Sequence, residues 1–478
     1  MGRGSRIRRN SIVAFVASAV RMGTNMLMFV GIARFYGPET FGQFTTAHIY
    51  LTLFLYLADF GFDQLVATEI ARDASNARSQ MERFFPLKLV AGSVATVAMW
   101  AIALALGVSS ATIQLMFVLS SGLLVTTLAT YYFAVARGHE ELHHEAVVVS
   151  LQQGFLLLVL LGVALLRLSI LWVAVAFVLS RILGLALIRR RIRVRFSLRL
   201  SVVTLRNWSS TLLQGIPWGI HLLFGALYFQ LDTLLLSAWR GDHAAGIYQS
   251  AMKLAVVVLV VPDVLVSALL PTFARLHNEN KHKWEELGRI ASRTLFYVSL
   301  PFALIFILYP HQVLALVYGG QGFADAVPIL RMLGVILVVR FSVETFGLVL
   351  TTTRNQTIRM WLVVGVTILN ISLNAYAIPR FGVEGAISVS LISNIVVGIG
   401  YAMAARRVGF SLRLLVGKRS VLVLILSSLM GAALWSFANA SLIAGVLTVM
   451  VFCPLICYLV GYSADERRMV FELRTRLV

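Results

Sequence analysis

An all-α integral membrane protein with about 14 transmembrane helices is the fold class this sequence predicts. Three observations predict it. First, 59% of the 478 residues are hydrophobic and 13% are charged, a balance that cannot be folded around one soluble core, and the mean hydropathy is +0.85. Second, apolar runs roughly 20 residues long recur along the chain, the length that crosses about 30 Å of hydrocarbon at 1.5 Å per residue. Third, Lys and Arg gather on alternate connections between the runs, as a membrane topology requires. Alternating strand patterns do not occur, and helices close their own backbone hydrogen bonds in lipid, so a barrel is excluded.

In chain order the spans fall at 11–33, 42–66, 86–107, 113–136, 145–166, 168–188, 209–236, 244–270, 291–317, 326–350, 358–379, 384–405, 420–437 and 441–462. An even number places both termini on one side. Arg3, Arg6, Arg8 and Arg9, the loop Arg72–Lys88, the stretch Arg189–Arg206, the loop Arg275–Arg293, the run Arg406–Arg419 and the tail Arg467–Arg476 share that side. Together they hold about 32 of the 41 Lys and Arg, against about four on the other face: Arg34, Arg167, Arg240 and Arg380. Both termini are therefore expected in the cytoplasm, with the protein in the cytoplasmic (inner) membrane. The first run is too long for a cleaved signal, has no A-x-A site and leads straight into a second, so it is expected to stay.

The net charge of +20 is spread among these inside loops, which predicts contact with anionic membrane lipids and no nucleic-acid partner. The dense run Arg189–Arg195 divides the chain into halves. The expected organisation is an N-lobe at 1–188, a basic linker at 189–208, a C-lobe at 209–405, a basic loop at 406–419, a last helix pair at 420–462 and a cytoplasmic tail at 463–478. Cys453 and Cys457 share a face of the last span, which gives no disulfide framework and no metal site.

The halves echo one another at Gly37-Pro38-Glu39-Thr40-Phe41-Gly42-Gln43-Phe44-Thr45-Thr46-Ala47 and Gly241-Asp242-His243-Ala244-Ala245-Gly246-Ile247-Tyr248-Gln249-Ser250-Ala251. Each follows the first span of its half, and Gly382-Val383-Glu384-Gly385-Ala386 opens span 12 in a related style. Small residues at such corners let helices meet closely. Two related bundles with a site in the cleft between them are the usual meaning of this symmetry.

Charges inside spans cost roughly 2.5–3.5 kcal/mol each to insert, so they are expected to face a cavity or a partner. Arg21 is mid-span with Ser18 and Asn25 on the same face. In span 7, Gln214, Trp218, His221, Gly225, Tyr228 and Asp232 form a stripe at spacings of three and four. Lys253 lies in span 8, and Asp263 follows Pro262, where a kink frees carbonyls. Arg340 and Glu344 are four apart in span 10 and are expected to pair with each other. Asp59 and Asp63 share a face near the cytoplasmic end, where loop arginines are their expected partners. Arg21 and Lys253 are the expected contacts of a localised anion, and Trp218 and Tyr228 the expected aromatic surfaces beside it. Asn25, His221 and Asp232 complete the expected binding set; Asp59, Asp263, Arg340 and Glu344 are the coupling or gating candidates.

His139-Glu140-Glu141-Leu142-His143 satisfies H-E-x-x-H literally, but it lies in a short connection with no further ligand beyond Glu145, so no zinc is expected. No glycine loop for phosphate appears either, and no cofactor is expected; the drive is an H+ or Na+ gradient, the membrane potential or consumption of the product. Outside loops of about ten residues or fewer leave no room for the large domain a membrane glycosyltransferase or polymerase needs, so no enzyme activity is expected.

Ala33-Arg34-Phe35-Tyr36-Gly37-Pro38-Glu39-Thr40-Phe41-Gly42, Asp59-Phe60-Gly61-Phe62-Asp63, and Leu231-Asp232-Thr233-Leu234-Leu235-Leu236 leading to Ala245-Gly246-Ile247-Tyr248-Gln249-Ser250-Ala251-Met252-Lys253-Leu254 resemble the polysaccharide-transport flippase branch of the multidrug/oligosaccharidyl-lipid/polysaccharide exporter superfamily. The resemblance implies two pseudo-symmetric six-helix lobes around a central cavity, a C-terminal helix pair, and alternating access. It implies a polyprenyl-diphosphate-linked glycan as substrate, feeding O-antigen, capsule or exopolysaccharide synthesis, with a polysaccharide polymerase and glycosyltransferases as partners. Cations from spans 1 and 8 also line the cavity of the related lipid II flippases. A lipid II flippase and a multidrug/cation antiporter of the same superfamily are the alternatives.

Overall fold

The computed structural model describes residues 3–73, 77–196, 208–319, 322–353, 355–410, 417–436, 442–463 and 466–467, and among these it is helical almost throughout, with no strand. The helices are α1 (Arg3–Asp59), α2 (Phe62–Arg72), α3 (Ala77–Ala105), α4 (Ser110–Gly138), α5 (Leu142–Leu165), α6 (Ile170–Phe196), α7 (Trp208–Glu279), α8 (Lys281–Leu308), α9 (Pro310–Tyr318), α10 (Val327–Thr352), α11 (Gln356–Arg407), α12 (Lys418–Ser436) and α13 (Leu442–Ile456), the last prolonged by a π-turn, Cys457–Gly461.

Ten stretches among the described residues are long and apolar enough to cross a membrane. Three of them, in α1, α7 and α11, run for 44, 58 and 52 residues, more than twice the thickness of a bilayer core. Each contains one glycine with non-helical backbone, Gly37, Gly241 or Gly382, which turns one span back into the next. Splitting the three there and adding the 19-residue α12 accounts for every predicted crossing.

Two spans end earlier than expected. Span 2 does not continue to residue 66, because Phe60 and Gly61 adopt left-handed backbone (φ 48° and 79°) and end α1 at Asp59; α2 starts beyond the break. Span 9 stops at Leu308 rather than 317, because Pro310 opens the separate short helix α9.

The chain divides into two compact units, 1–246 and 247–478. In the first, α4 packs against α1, α2, α3 and α6. Gly138 lets α2 lie on α4: a Cβ there would stand 2.7 Å from that of Ile70. Phe62, Val66, Ile70, Phe84, Tyr131, Val148, Ile188 and Ile192 close the core at this end. In the second unit, Phe273, Trp284, Phe346, Tyr401 and Phe410 form the corresponding centre.

The last helix pair is fastened to α8. Tyr462 shares a hydrogen bond with Thr294 (2.7 Å), and Arg293 donates to Glu466 (2.6 Å). Partial burial pushes the Glu466 carboxyl up, but the Ser463 backbone N–H, Arg293, the Ser463 hydroxyl and Arg419 outweigh it and hold the group below the usual carboxylate range. A lowered native value means that this fastening is fully present above the ordinary carboxylate pKa and is lost as pH falls through the native one. Protection of the Tyr462 and Ser463 amides from exchange is therefore expected to hold from pH 7 down through the ordinary carboxylate range and to be lost only below it. Glu466→Gln should give the fast exchange already at pH 7.

Candidate functional site

A polar seam runs through the first unit where α1, α5 and α6 face one another. Arg21 of α1 reaches Glu145 of α5 (Nη2–Oε1 3.4 Å), whose other oxygen lies 3.6 Å from Arg137 of α4. Thus the acid beside Arg21 is Glu145, and the Arg21 side chain remains 46% exposed. Two turns further along α5, Gln153 donates to the Arg21 carbonyl (3.4 Å), and the neighbouring Gln152 is likewise buried. Arg181 of α6 lies over the Phe177 ring at 4.4 Å, one turn before it, and stands close enough to Arg21 for the two guanidinium charges to repel.

Asn25 Oδ1, Gln152 Nε2, Gln153 Oε1 and Arg181 Nε are all buried with no hydrogen-bond partner among the described residues. Orphaned polar atoms of this kind cost free energy unless a ligand or water completes them. Arg21 and Arg137 share one carboxylate here and Arg181 adds a third guanidinium, which leaves an excess of positive charge. Two donors, two acceptors and surplus cations together suit an anion carrying hydroxyl groups. Arg21 and Asn25 were legible as members of this face; Arg181, Gln152 and Gln153 were not.

The other expected site residues are distributed as follows. The side chains of Trp218 and His221 lie outside the described residues. Tyr228 meets Phe229 edge-on at 5.5 Å, and Asp232 is buried, both on α7 in the first unit. Lys253 is half-buried on α7 in the second unit. Also in that unit, Asp263 feels the charges of Glu344, Arg340 and Arg359. Arg359, at the start of α11, also approaches Glu344, the expected partner of Arg340: it lies 3.9 Å from that carboxylate and donates to Thr351 (3.1 Å). Helical spacing puts Arg340 and Glu344 on one face, but the helix packed against that face supplies another cation. Asp59 and Asp63 are corrected, since both grip Lys88 of α3 rather than loop arginines.

The two echoing corners touch. A Cβ on Gly42 would lie 1.8 Å from the Asp242 carbonyl oxygen, and one on Gly246 would lie 1.9 Å from that of Pro38. Gly37 and Gly241 take the same extended left-handed backbone, φ 78° and 87°. The Asp242 carboxylate accepts from Thr112 (3.0 Å), Ser237 (2.7 Å) and, more closely, Ser109, which ties its corner to the start of α4.

The H-E-x-x-H text does not form a helical ligand pair, because α4 ends at Gly138, Glu140 is left-handed (φ 57°) and α5 begins at Leu142. His139 turns to the Phe196 ring, while Glu141, His143 and His144 draw together. The Glu141 carboxylate accepts from Arg195 (2.8 Å) and meets His144 (2.8 Å). Burial pushes this carboxyl up, and the hydrogen bonds and charges of Arg195 and His144 bring it below its ordinary value.

A family model described as polysaccharide biosynthesis protein matches residues 7–277, and one described as MatE matches 217–376. The probable flippase AglR of Haloferax volcanii is 29% identical over 174 residues, so the match spans about a third of that relative's length (35% of either chain). Two solved structures share the fold: the lipid II flippase MurJ in an inward closed conformation (TM-score 0.73, 11% identity, 94% of this chain and 98% of that one) and the inward-facing conformation of a multidrug resistance MATE family transporter of the MOP superfamily (TM-score 0.67, 16% identity, 82% and 97%). At these identities the likeness speaks for architecture alone.

Proposed function

Since the chain belongs to the polysaccharide biosynthesis protein family and has the fold of the MOP exporters, we propose that it is a flippase carrying polyprenyl-diphosphate-linked oligosaccharide from the cytoplasmic to the outer leaflet. The observation that supports this cargo most is the seam of Arg21, Arg181, Asn25, Gln152 and Gln153, with its surplus positive charge and open hydrogen-bonding atoms. A diphosphate crossing the bilayer centre must exchange its hydration for fixed cations, and the glycan hydroxyls for amides. The polyprenyl tail has no such need and stays in lipid.

In this reading both termini are cytoplasmic, the N-lobe (1–188) and C-lobe (209–405) rock about the cavity, and Lys253 supplies a further cation to the diphosphate. The touching corners at Gly42 and Gly246 close the extracytoplasmic side in one state and part in the other. A polysaccharide polymerase and glycosyltransferases work on either side of the step, and the family's O-antigen, capsule and exopolysaccharide pathways are the places to look. The antiporter alternative suits the seam less well, because surplus guanidinium charge repels organic cations.

Expression in a bacterium whose own polysaccharide flippase has been deleted separates the readings. Restored surface glycan without any gain in resistance to cationic dyes is expected. Raised dye resistance with no glycan at the surface would replace the flippase with the antiporter.

A further inference from the structure

Lys88 is wholly buried, yet its ammonium is engaged by two carboxylates, Asp59 at 2.8 Å and Asp63 closer still. The acids stand on opposite sides of the break at Phe60 and Gly61: Asp59 ends α1, and Asp63 lies in the first turn of α2. Lys88 therefore bridges two helices that the backbone itself does not join as one. The Asp63 N–H donates to Asp59 Oδ1 (3.1 Å), and Thr130 of α4 hydrogen-bonds the Asp63 side chain. Glycines 215 and 219 of α7 lie flat against Phe60, where a Cβ would come within 2.8 Å of its carbonyl oxygen and of its ring.

Charge counting makes this more than a structural tie. Two carboxylates against one ammonium leave one uncompensated negative charge, and the surrounding side chains, Phe62, Phe84, Leu87 and Tyr131, are apolar or weakly acidic. Among the described residues no further cation acts on Asp63: Glu82 of α3 acts on Tyr131 and is paired with Arg78, and Arg189 of α6 acts on Tyr132. A buried net charge is costly, and neutrality requires one more positive charge. A sodium ion does not suit, because the Lys88 ammonium already occupies the place between the oxygens. A proton does: the Lys88 side chain is sealed, but Asp59 and Asp63 keep 18% and 14% of their side-chain surface accessible.

We propose that Asp59, Lys88 and Asp63 form a one-proton site that latches the break in the second span. With both carboxylates ionised, Lys88 clamps α1 to α2. When one carboxylate takes a proton from water, an O–H bond forms, that arm of the clamp loses its charge, and α2 is freed to swing on Phe60–Gly61 with the α7 glycines resting on the pivot. On deprotonation the proton returns to water and the clamp re-forms.

The test uses the purified full-length protein in lipid nanodiscs and needs no transported cargo, so it stands or falls apart from the flippase reading. Infrared difference spectra taken as pH is stepped through neutrality should show the carbonyl band of one protonated carboxyl appearing, and α2 amide exchange should speed up with the same midpoint. Asp63→Asn and Asp59→Asn each leave a neutral pair and keep the Oδ1 acceptor, so both should lose the band and the pH dependence of exchange. Lys88→Gln crowds two carboxylates without their cation and should move the band up by at least about one pH unit. If Lys88→Gln does not fold, the two Asn variants still decide. A wild-type band that survives Asp63→Asn unchanged, no titrating carboxyl at all, or α2 exchange indifferent to pH would overturn the proposal.

Discussion

Gly246→Ala is expected to reduce surface glycan by more than tenfold, and Gly42→Ala to do the same. In both cases the new methyl would sit under 2 Å from a backbone carbonyl oxygen, Pro38 for Gly246 and Asp242 for Gly42. Backbone cannot step aside as the end of a long side chain can, so the corners must separate. Overpacking of this severity costs on the order of 3 kcal/mol or more. Asp242 worsens the choice, since its carboxylate is held by Ser109, Thr112 and Ser237, and moving its carbonyl breaks that cage. Gly23→Ala and Gly31→Ala are the controls, because a Cβ at either meets nothing within 4 Å. Cysteines placed at Glu39 and His243 should cross-link readily in the parent and poorly in Gly246→Ala. Wild-type display and cross-linking by Gly246→Ala would show that the corners need not touch during the cycle.

The spans and corners were readable in the sequence for one reason: lipid imposes length and apolarity on each helix separately, and a tight turn demands glycine locally. Gly37, Gly241 and Gly382 announce where a continuous helix doubles back. Partners between helices obey no such rule. Lys88 counts among the cytoplasmic-loop cations by position, although the fold buries it against Asp59 and Asp63. Arg181 precedes the run Arg189–Arg195 by only two turns and is lost in its shadow, while helical spacing alone joins Arg340 to Glu344 and overlooks Arg359. Spacing tells which face a residue occupies, not which neighbour looks at that face. Arg21 is the intermediate case. Its depth marked it for the site, but its acid partner came from α5, a helix that no local pattern ties to α1.

Arg181→Met is expected to make the protein more stable and less active at once. The guanidinium sits over Phe177, its Nε has no partner among the described residues, and Arg21 repels it, while Glu145, the carboxylate of Arg21, is already divided between Arg21 and Arg137. A charge held in such a place without an acid of its own costs folding free energy. Met has similar reach, packs on the same ring and removes both the repulsion and the orphaned N–H, so the thermal midpoint should rise. The anionic cargo, however, loses a charge-assisted contact of about 1.5–3 kcal/mol, which is roughly a 10- to 100-fold loss of flipping. Surface glycan should fall accordingly, with lipid-linked intermediate accumulating on the cytoplasmic leaflet. Arg181→Lys keeps the charge but not the planar stack and should fall between the two. The pairing of opposite signs is the informative part: lost display with a lowered midpoint would make Arg181 a packing residue, and undiminished display would take it out of the cargo's path.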